Sequence, residues 1–247
     1  MNKPYYFILP LLLLLGACSN NGDEEIPLNP IRTTAITEAA VSYGAQYALA
    51  WRIEIIRQEI KQHEHLLNSI FDFRSFVMQN NVLPPVLQQS SSNLHLSNPN
   101  AMRVNDLEIE IIMPARLITT APLWSDYISF NDYTYPDTPD YSLLPKNSDE
   151  RYIWDKEVQK GWKQGVIQAD SIFSDNLASL TRDINGMTLY KKLYTQNMIS
   201  APYIAKAELG VTGNTAKMRL NDKVIRIMQP SVLNTEQPDS WNTVIVQ

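Results

Sequence analysis

Cysteine is nearly absent from this sequence. Cys18 is the only one in 247 residues, so no internal disulfide can form. Clustered positive charge is missing as well. The 21 Lys and Arg are interspersed among 26 Asp and Glu for a net charge of -5, which excludes a face built to neutralise nucleic-acid phosphates. The apolar run from Tyr5 to Leu15 is about half the ~20 residues that a membrane-crossing helix needs. There is no G-x-S-x-G, H-E-x-x-H or G-x-x-x-x-G-K, the spacings that prepare acyl transfer, zinc hydrolysis and phosphate binding. Histidine offers no ligand pair either. His63 and His65 point about 200° apart on a helix, whereas ligands need i, i+3 or i, i+4 spacing, and His95 stands alone in NLHLSN. The sequence therefore leads us to expect no catalytic, metal or cofactor site.

What is present suits one globular core, with 44% hydrophobic and 19% charged residues. The apolar run near the N-terminus follows the basic Lys3 and ends in Leu15-Gly16-Ala17-Cys18, small residues directly before the cysteine. That resembles the bacterial lipoprotein box. The resemblance implies a signal peptide over residues 1–17, diacylation of the Cys18 thiol, cleavage before it and a further acyl chain on the new amino terminus. Each buried methylene contributes about 0.8 kcal/mol, so two or three chains hold a folded body at a membrane. The alternatives are an ordinary secretory signal that contains a cysteine, or a catalytic thiol. The second would need a cation or histidine beside Cys18, and none is near in sequence. Ser19 in place of an Asp resembles the outer-membrane type. Asn20 to Asn29, NNGDEEIPLN, is polar and acidic, which suits a flexible tether reaching up to about 33 Å. Residues 18–32 are thus expected to be a lipidated N-terminus and tether, and residues 33–247 the globular domain.

Apolar residues at Ala39, Tyr43, Tyr47, Ala50, Ile53, Ile56 and Ile60 fall three or four apart with no proline from Thr33 to about Leu67. They predict an amphipathic helix. A second long helix is announced by Asn147 with Glu150 three residues on, a capping-box spacing. Trp154, Val158, Trp162, Val166, Ala169, Phe173, Leu177 and Leu180 then recur every three or four positions. Gly161, Gly165 and Ala169 form a row on a neighbouring face that lets another element approach the backbone. Gly186 is expected to stop this helix, with a shorter one over Met187 to Met198.

Met102 to Pro114, MRVNDLEIEIIMP, reappears 116 positions later as MRLNDKVIRIMQP at Met218 to Pro230. Alternating apolar residues flank Asn105-Asp106 and Asn221-Asp222, dipeptides that tolerate tight-turn angles, so both copies read as β-hairpins turning there. Glu108 and Glu110 alternate with Leu107, Ile109 and Ile111, which sends the carboxylates away from the core. The repeat is scaffold used twice, with two hairpins contributing to one sheet. LGVTGN at Leu209 to Asn214 reads as a turn leading into the second. The expected fold class is α+β: one helix-rich domain of two long helices and two hairpins.

The segment Ser129 to Pro145, SFNDYTYPDTPDYSLLP, is rich in aromatics and stiffened by proline. Tyr133, Tyr135 and Tyr141 there suit a protein interface, because such side chains supply area at low ordering cost. A loop packed over its own core fits the composition equally well. The acidic spacing in this loop does not match a calcium loop.

Long blocks remain that no general pattern explains. They are GAQYALAWR at Gly44 to Arg52, FDFRSFVMQNNVLPPVL at Phe71 to Leu87, ITTAPLWSDY at Ile118 to Tyr127, LLPK at Leu143 to Lys146, the spacing of Trp154, Gly161-Trp162 and Gly165, and LYKKLYTQNMISAPYIAKAELGVTGN at Leu189 to Asn214. Over nearly all of the chain after Cys18 these blocks resemble the DotC-like lipoproteins of type IVB (Dot/Icm-like) secretion systems and their counterparts in I-type plasmid conjugation. The resemblance implies a non-enzymatic outer-membrane core subunit facing the periplasm. Its partners would be a DotD-like lipoprotein and a DotH-like channel protein, and Cys18 would be the lipid attachment site. The competing expectation is a lipid-anchored periplasmic enzyme or small-ligand binder. It would need a pocket lined by residues such as Asp126, Asp132 and Asp137.

Overall fold

The structure, a computed structural model, describes residues 29–98, 101–130, 133–236, 239 and 241. Cys18, the tether up to Leu28 and Asp132 lie outside the described residues. The first helix, α1, spans Pro30–Gln62. Asn29 caps it, with Oδ1 accepting from the Ile31 amide at 3.0 Å, and Pro30 occupies the first turn, where a missing amide costs nothing. The helix thus opens three residues ahead of Thr33. It breaks at His63 and resumes as α2, Glu64–Ile70. A two-stranded ladder pairs β1, Val82–Leu83, with β4, Arg116–Leu117. Between them lie β2, Val86–Asn98, and β3, Ala101–Met113, paired antiparallel. After the short α3, Trp124–Tyr127, comes α4, Ser148–Thr195, and then the antiparallel pair β5, Tyr203–Asn214, and β6, Lys217–Gln229. The fold is α+β.

α4 runs unbroken for 48 residues through Gly186, where a stop was expected. At 1.5 Å per residue it is about 72 Å long, against about 50 Å for α1. Arg32 meets Glu150 and Arg52 meets Asp170, so the two helices run parallel, and α1 covers only the N-terminal part of α4. The first hairpin covers the rest. Gly186 fits this arrangement, because a Cβ there would collide with Val86 and with the backbone of Leu87. Close packing explains this glycine; a cap does not.

The helix seam is made of backbone. A Cβ on Gly161 would strike the Val41 carbonyl, one on Gly44 the Val158 carbonyl, and one on Gly165 the Ala45 carbonyl. The contact is reciprocal: 117 positions separate Val41 from Val158 and Gly44 from Gly161, and each glycine lies against the other helix's valine. The chain is ordered as two helix-then-hairpin halves whose helices pack side by side. On α1 the buried positions include Ile36, Ala40, Gly44, Ala48, Leu49, Ile53 and Ile56. Tyr43 and Tyr47, expected in the buried stripe, stand beside the seam instead, since helices in backbone contact leave no room for rings between them.

Three hydrophobic clusters line α4. Leu49, Ile53 and Ala169 form one near the seam, and Phe73, Leu83, Val86, Trp124, Ile128, Leu180 and Met187 form the largest. Leu87, Tyr190, Leu193 and Ile199 close the C-terminal end. Inside the largest cluster region Asp183 is only 3% exposed, yet it is satisfied. It accepts from Tyr127 Oη at 2.8 Å and from Arg182 Nη2 at 2.8 Å. Burial, and then this hydrogen bond to a carboxylate, push the Tyr127 phenol well above its ordinary pKa.

Both hairpins exist, but neither turns at the Asn-Asp pair. Asn105 faces Asn93 in mid-ladder, and the second hairpin turns at residues 215–216, between Asn214 and Lys217. The repeat is therefore the second strand of each hairpin. LGVTGN lies within β5, with Gly210 at φ 73° and Gly213 at φ 152°. Among the described residues the hairpins also do not share a sheet, and three separate two-stranded ladders result. The alternation in β3 is as expected near its base. Glu108 and Glu110 are exposed, while Ile109 and Ile111 pack with Leu87.

Replacing Gly161 by Ala is expected to cost about 3 kcal/mol, because a backbone carbonyl cannot move aside without separating the helices. Gly210→Ala, where no atom lies within 4 Å, should cost about 1 kcal/mol from its left-handed backbone alone. Urea unfolding of both variants checks this, and equal losses would contradict a backbone seam.

Candidate functional site

The loop after α3 lies across the face that the seam leaves free. Tyr135 packs on Tyr47 with ring centroids 4.8 Å apart. Tyr47 continues to Tyr43 at 6.0 Å and to Trp162 at 6.1 Å, and Trp162 continues to Trp51 at 5.2 Å. Tyr43 meets Trp154 at 6.3 Å. Six aromatic side chains from α1, α4 and the loop thus form one strip. Its cause is the glycine seam, which displaces large side chains to the flank where the two helices' rings meet. Tyr47 and Trp51 remain 38% exposed and Tyr135 49%. Rigid amphipathic rings held by their neighbours suit protein contact, since few torsions must be frozen on binding.

The three tyrosines singled out in the sequence have separate fates. Tyr133 is half-buried and packs with Phe130 and Ile172 on Leu49, Ile53 and Ala169. Tyr135 belongs to the strip. Tyr141, on a 3-10 turn over Tyr141–Leu143, is 79% exposed. Sequence reasoning counted the aromatic faces of the helices among contact surfaces in general but did not single out the rings at Tyr43, Tyr47, Trp51, Trp154 and Trp162, because a helical spacing of three or four reads as core. The signal was available in the offset between those rings and the row of Gly161 and Gly165. Tyr152, 73% exposed in the first turn of α4, was also not singled out.

A cationic clamp pins the end of the loop. Arg32 donates from Nε to Glu150 Oε1 at 2.6 Å and from Nη2 to Oε2 at 2.8 Å. Its Nη1 and Nη2 also reach the carbonyls of Ser142 and Leu144, at 2.8 and 3.2 Å. Glu150 is used further. Its Oε2 accepts from the Lys146 amide at 2.8 Å, while its own amide is capped by Asn147 Oδ1 at 2.8 Å. The return half of the capping box therefore reaches one residue early. Arg32 first, and then the Lys146 amide, hold the Glu150 carboxyl below the usual carboxylate range, against the opposing effect of burial. Asp140 Oδ1 accepts from the Ser142 amide at 2.8 Å, and hydrogen bonding from the Ser142 hydroxyl first, and then from this amide, holds the Asp140 carboxyl below its ordinary range.

Asp126, Asp132 and Asp137 are not gathered into a described pocket. Asp126 is exposed and accepts from the Leu123 amide at 2.8 Å, Asp137 is exposed, and Asp132 lies outside the described residues. His63 Nδ1 sits 2.8 Å from the Glu59 carbonyl oxygen. A cleft of about 550 Å³ lies beyond the end of α4, lined by residues that include Tyr194, Ile199, Val232, Leu233 and Glu236. Among the described residues, no helix is long and apolar enough to cross a membrane.

A family model described as type IV secretory system, conjugal DNA-protein transfer, matches residues 30–243. No curated protein matches the chain.

The clamp predicts a pH response. A carboxyl whose folded pKa lies below its unfolded value of about 4.3 contributes fully above that value and loses its contribution as pH falls through the folded pKa. Wild-type stability should therefore drop as pH falls below the ordinary carboxyl value of about 4.3, and Glu150→Gln should flatten that part of the profile. Arg32→Ala should in turn open the loop to limited proteolysis between residues 133 and 145 while the helix pair stays intact. Unchanged cleavage would show that the loop does not depend on the clamp.

Proposed function

The chain belongs to the type IV secretory system, conjugal DNA-protein transfer family, and from that premise we propose that it is a DotC-like subunit held at the periplasmic face of the outer membrane by acyl chains on Cys18. In this reading it assists a DotH-like channel protein, together with a DotD-like lipoprotein, to reach and stay in that membrane. The role is one of assembly, without catalysis.

One observation carries the reading. The family match opens at residue 30, α1 opens at Pro30, and ahead of both stand the lipoprotein box ending at Cys18 and the polar stretch from Asn20 to Asn29. A folded body of a secretion-system family thus follows directly on an anchor and a tether. The aromatic strip supports the same reading from the other side, since it offers preformed contact area with Tyr135 outermost, while in the same loop Tyr133 is the internal support and Tyr141 stands exposed.

The test is affinity purification of the tagged chain from detergent-solubilised outer membranes, with mass spectrometry of what accompanies it. Recovery of a second lipoprotein and a large channel subunit in fixed ratio supports the assembly role. Recovery of the chain alone, under conditions that preserve other membrane complexes, defeats that role and brings the enzyme or ligand-binder reading forward. Cys18→Ala should move a folded protein from the membrane to the soluble fraction. A variant that no longer folds would show that the anchor region is part of the body.

A further inference from the structure

The seam between α1 and α4 opens toward the end of α1. Ile56 and Ile60 stand 117 positions before Phe173 and Leu177, the same offset that relates Val41 to Val158 and Gly44 to Gly161. They are the next pairs along the seam. With four bulky side chains where the seam has glycines, the helices cannot meet there through backbone. A cleft of about 300 Å³ results, walled by Ile56, Ile60, Phe173 and Leu177 and closed by Leu67 of α2 and Ile128 after α3. Among the described residues its polar lining is Glu59 and His63 alone, and the His63 ring nitrogen is turned to the Glu59 carbonyl oxygen at 2.8 Å. The interior of the cleft is hydrocarbon.

A second cleft, of about 430 Å³, adjoins the first, since Ile60 and Ile128 line both. Its character is different. Arg57, Lys61, Glu64 and Asn68 bring polar groups to it, whereas Glu59 lines only the first cleft. Arg57 is engaged, 3.8 Å from Glu54 and over the Phe130 ring, and Asn68 accepts from Trp124 Nε1 at 2.6 Å. Lys61 has no ion pair among the described residues. Two cations thus face one carboxylate, and the second cleft favours an anion. α2 contributes a wall to both clefts through Leu67 on one side and Glu64 and Asn68 on the other. It has no buried residue and no side-chain cap, and its Leu66 and Ile70 are 55% and 57% exposed. Little holds this wall against the body, so it can yield to admit a long ligand.

We propose that the paired clefts bind a single-chain anionic lipid, a free fatty acid drawn from the membrane, with its hydrocarbon chain between Ile56 and Phe173 and its carboxylate beside Lys61. The walls select this ligand. A polar group in the first cleft would lose its water without gaining a partner, whereas every methylene buried there is favourable. An apolar lining with a few polar groups at one end to fix orientation is the usual form of a small-ligand site. The acyl chains proposed for Cys18 are the competing occupant, and two features disfavour them. They carry no anion for Lys61. The twelve residues from Cys18 to Pro30 reach about 40 Å only when almost fully extended, and Ile56 lies about 39 Å along α1 from Pro30. The inference adds a ligand site to the proposed assembly role and does not depend on that role.

The test is titration of the full chain carrying Cys18→Ala, purified without detergent, with the fluorescent fatty acid cis-parinaric acid below its micelle concentration. Saturable binding of one equivalent at micromolar concentration is expected, and displacement should tighten about tenfold from octanoate to decanoate as two more methylenes are buried. Lys61→Glu should weaken dodecanoate by about tenfold and leave neutral dodecanol unchanged, a split that a merely structural role would not produce. Leu67→Trp, which fills the apolar cleft from α2, should abolish binding of both with unchanged circular dichroism. Absence of saturable binding up to about 100 µM overturns the proposal, as does binding that ignores both substitutions. Equal loss of acid and alcohol in Lys61→Glu overturns it as well, because the carboxylate is then not read by Lys61. Native mass spectrometry of the acylated wild type with palmitate should show one added fatty acid. Its absence there, while the Cys18→Ala chain binds, would mean that the chain's own lipid fills the cleft, and that too overturns the proposal.

Discussion

Everything in this structure rests on the backbone contact between α1 and α4. Gly44, Gly161 and Gly165 leave no side chain between the helices, so the carbonyls of Val158, Val41 and Ala45 occupy the space that a Cβ would take. Two consequences follow from that proximity. Large side chains are excluded from the seam and gather on its flank, which creates the aromatic strip that receives Tyr135. The helices are also locked in parallel register, which fixes where each hairpin can leave its helix. Ordinary ridges-into-grooves packing at 8–10 Å, with side chains interposed, would have buried the rings and left the loop without a platform.

Parallel register has a further effect on α4. Since α1 is about 20 Å shorter, the last turns of α4 would present Leu180, Met187, Tyr190 and Leu193 to water. The first hairpin covers them, seated over Gly186. No comparable helix surface is left for the second hairpin, and that explains why it buries no side chain completely. The two halves of the chain are therefore alike in order but unlike in what their hairpins do.

The helices were legible because long 3.6-residue periods and an Asn cap are local signals. What the period could not decide was the angle of the buried stripe on α1. Tyr43 and Tyr47 carry more apolar surface than Ala40 and Ala48, yet the alanines are buried, because the partner's glycines bring its backbone in. Gly186 was misread for a related reason: a glycine needed for close approach and one needed for a cap look identical in sequence. The hairpins were legible in kind but not in register. The Arg-Val-Asn-Asp and Arg-Leu-Asn-Asp segments are nearly the same, but Asn221 takes φ 53° while Asn105 has no such angle. The difference lies in the partner strand. Opposite Asp222 stands Gly210, at φ 73°, and the Thr212 hydroxyl donates to the Asp222 carboxylate. β2 offers neither. Of the candidate site, composition located the loop, but the strip it joins depends on which helix faces meet, and that is a tertiary fact.

The geometry also gives the molecule two distinct ends. Arg32, two residues beyond Pro30 at the start of α1, binds Glu150 at the start of α4 and the loop carbonyls of Ser142 and Leu144, so the beginnings of both helices and the exposed Tyr141 turn are tied together at one end. Both hairpins follow the C-terminal ends of their helices, about 50 Å away along α1. Contacts made by the strip and contacts made by the hairpins therefore lie at different positions along the helix pair, so they need not compete for the same partner. A scaffold with the starts of both helices tied at one end, one preformed lateral surface and two hairpins toward the other end keeps these surfaces in fixed relation, because the glycine seam holds the helices in register.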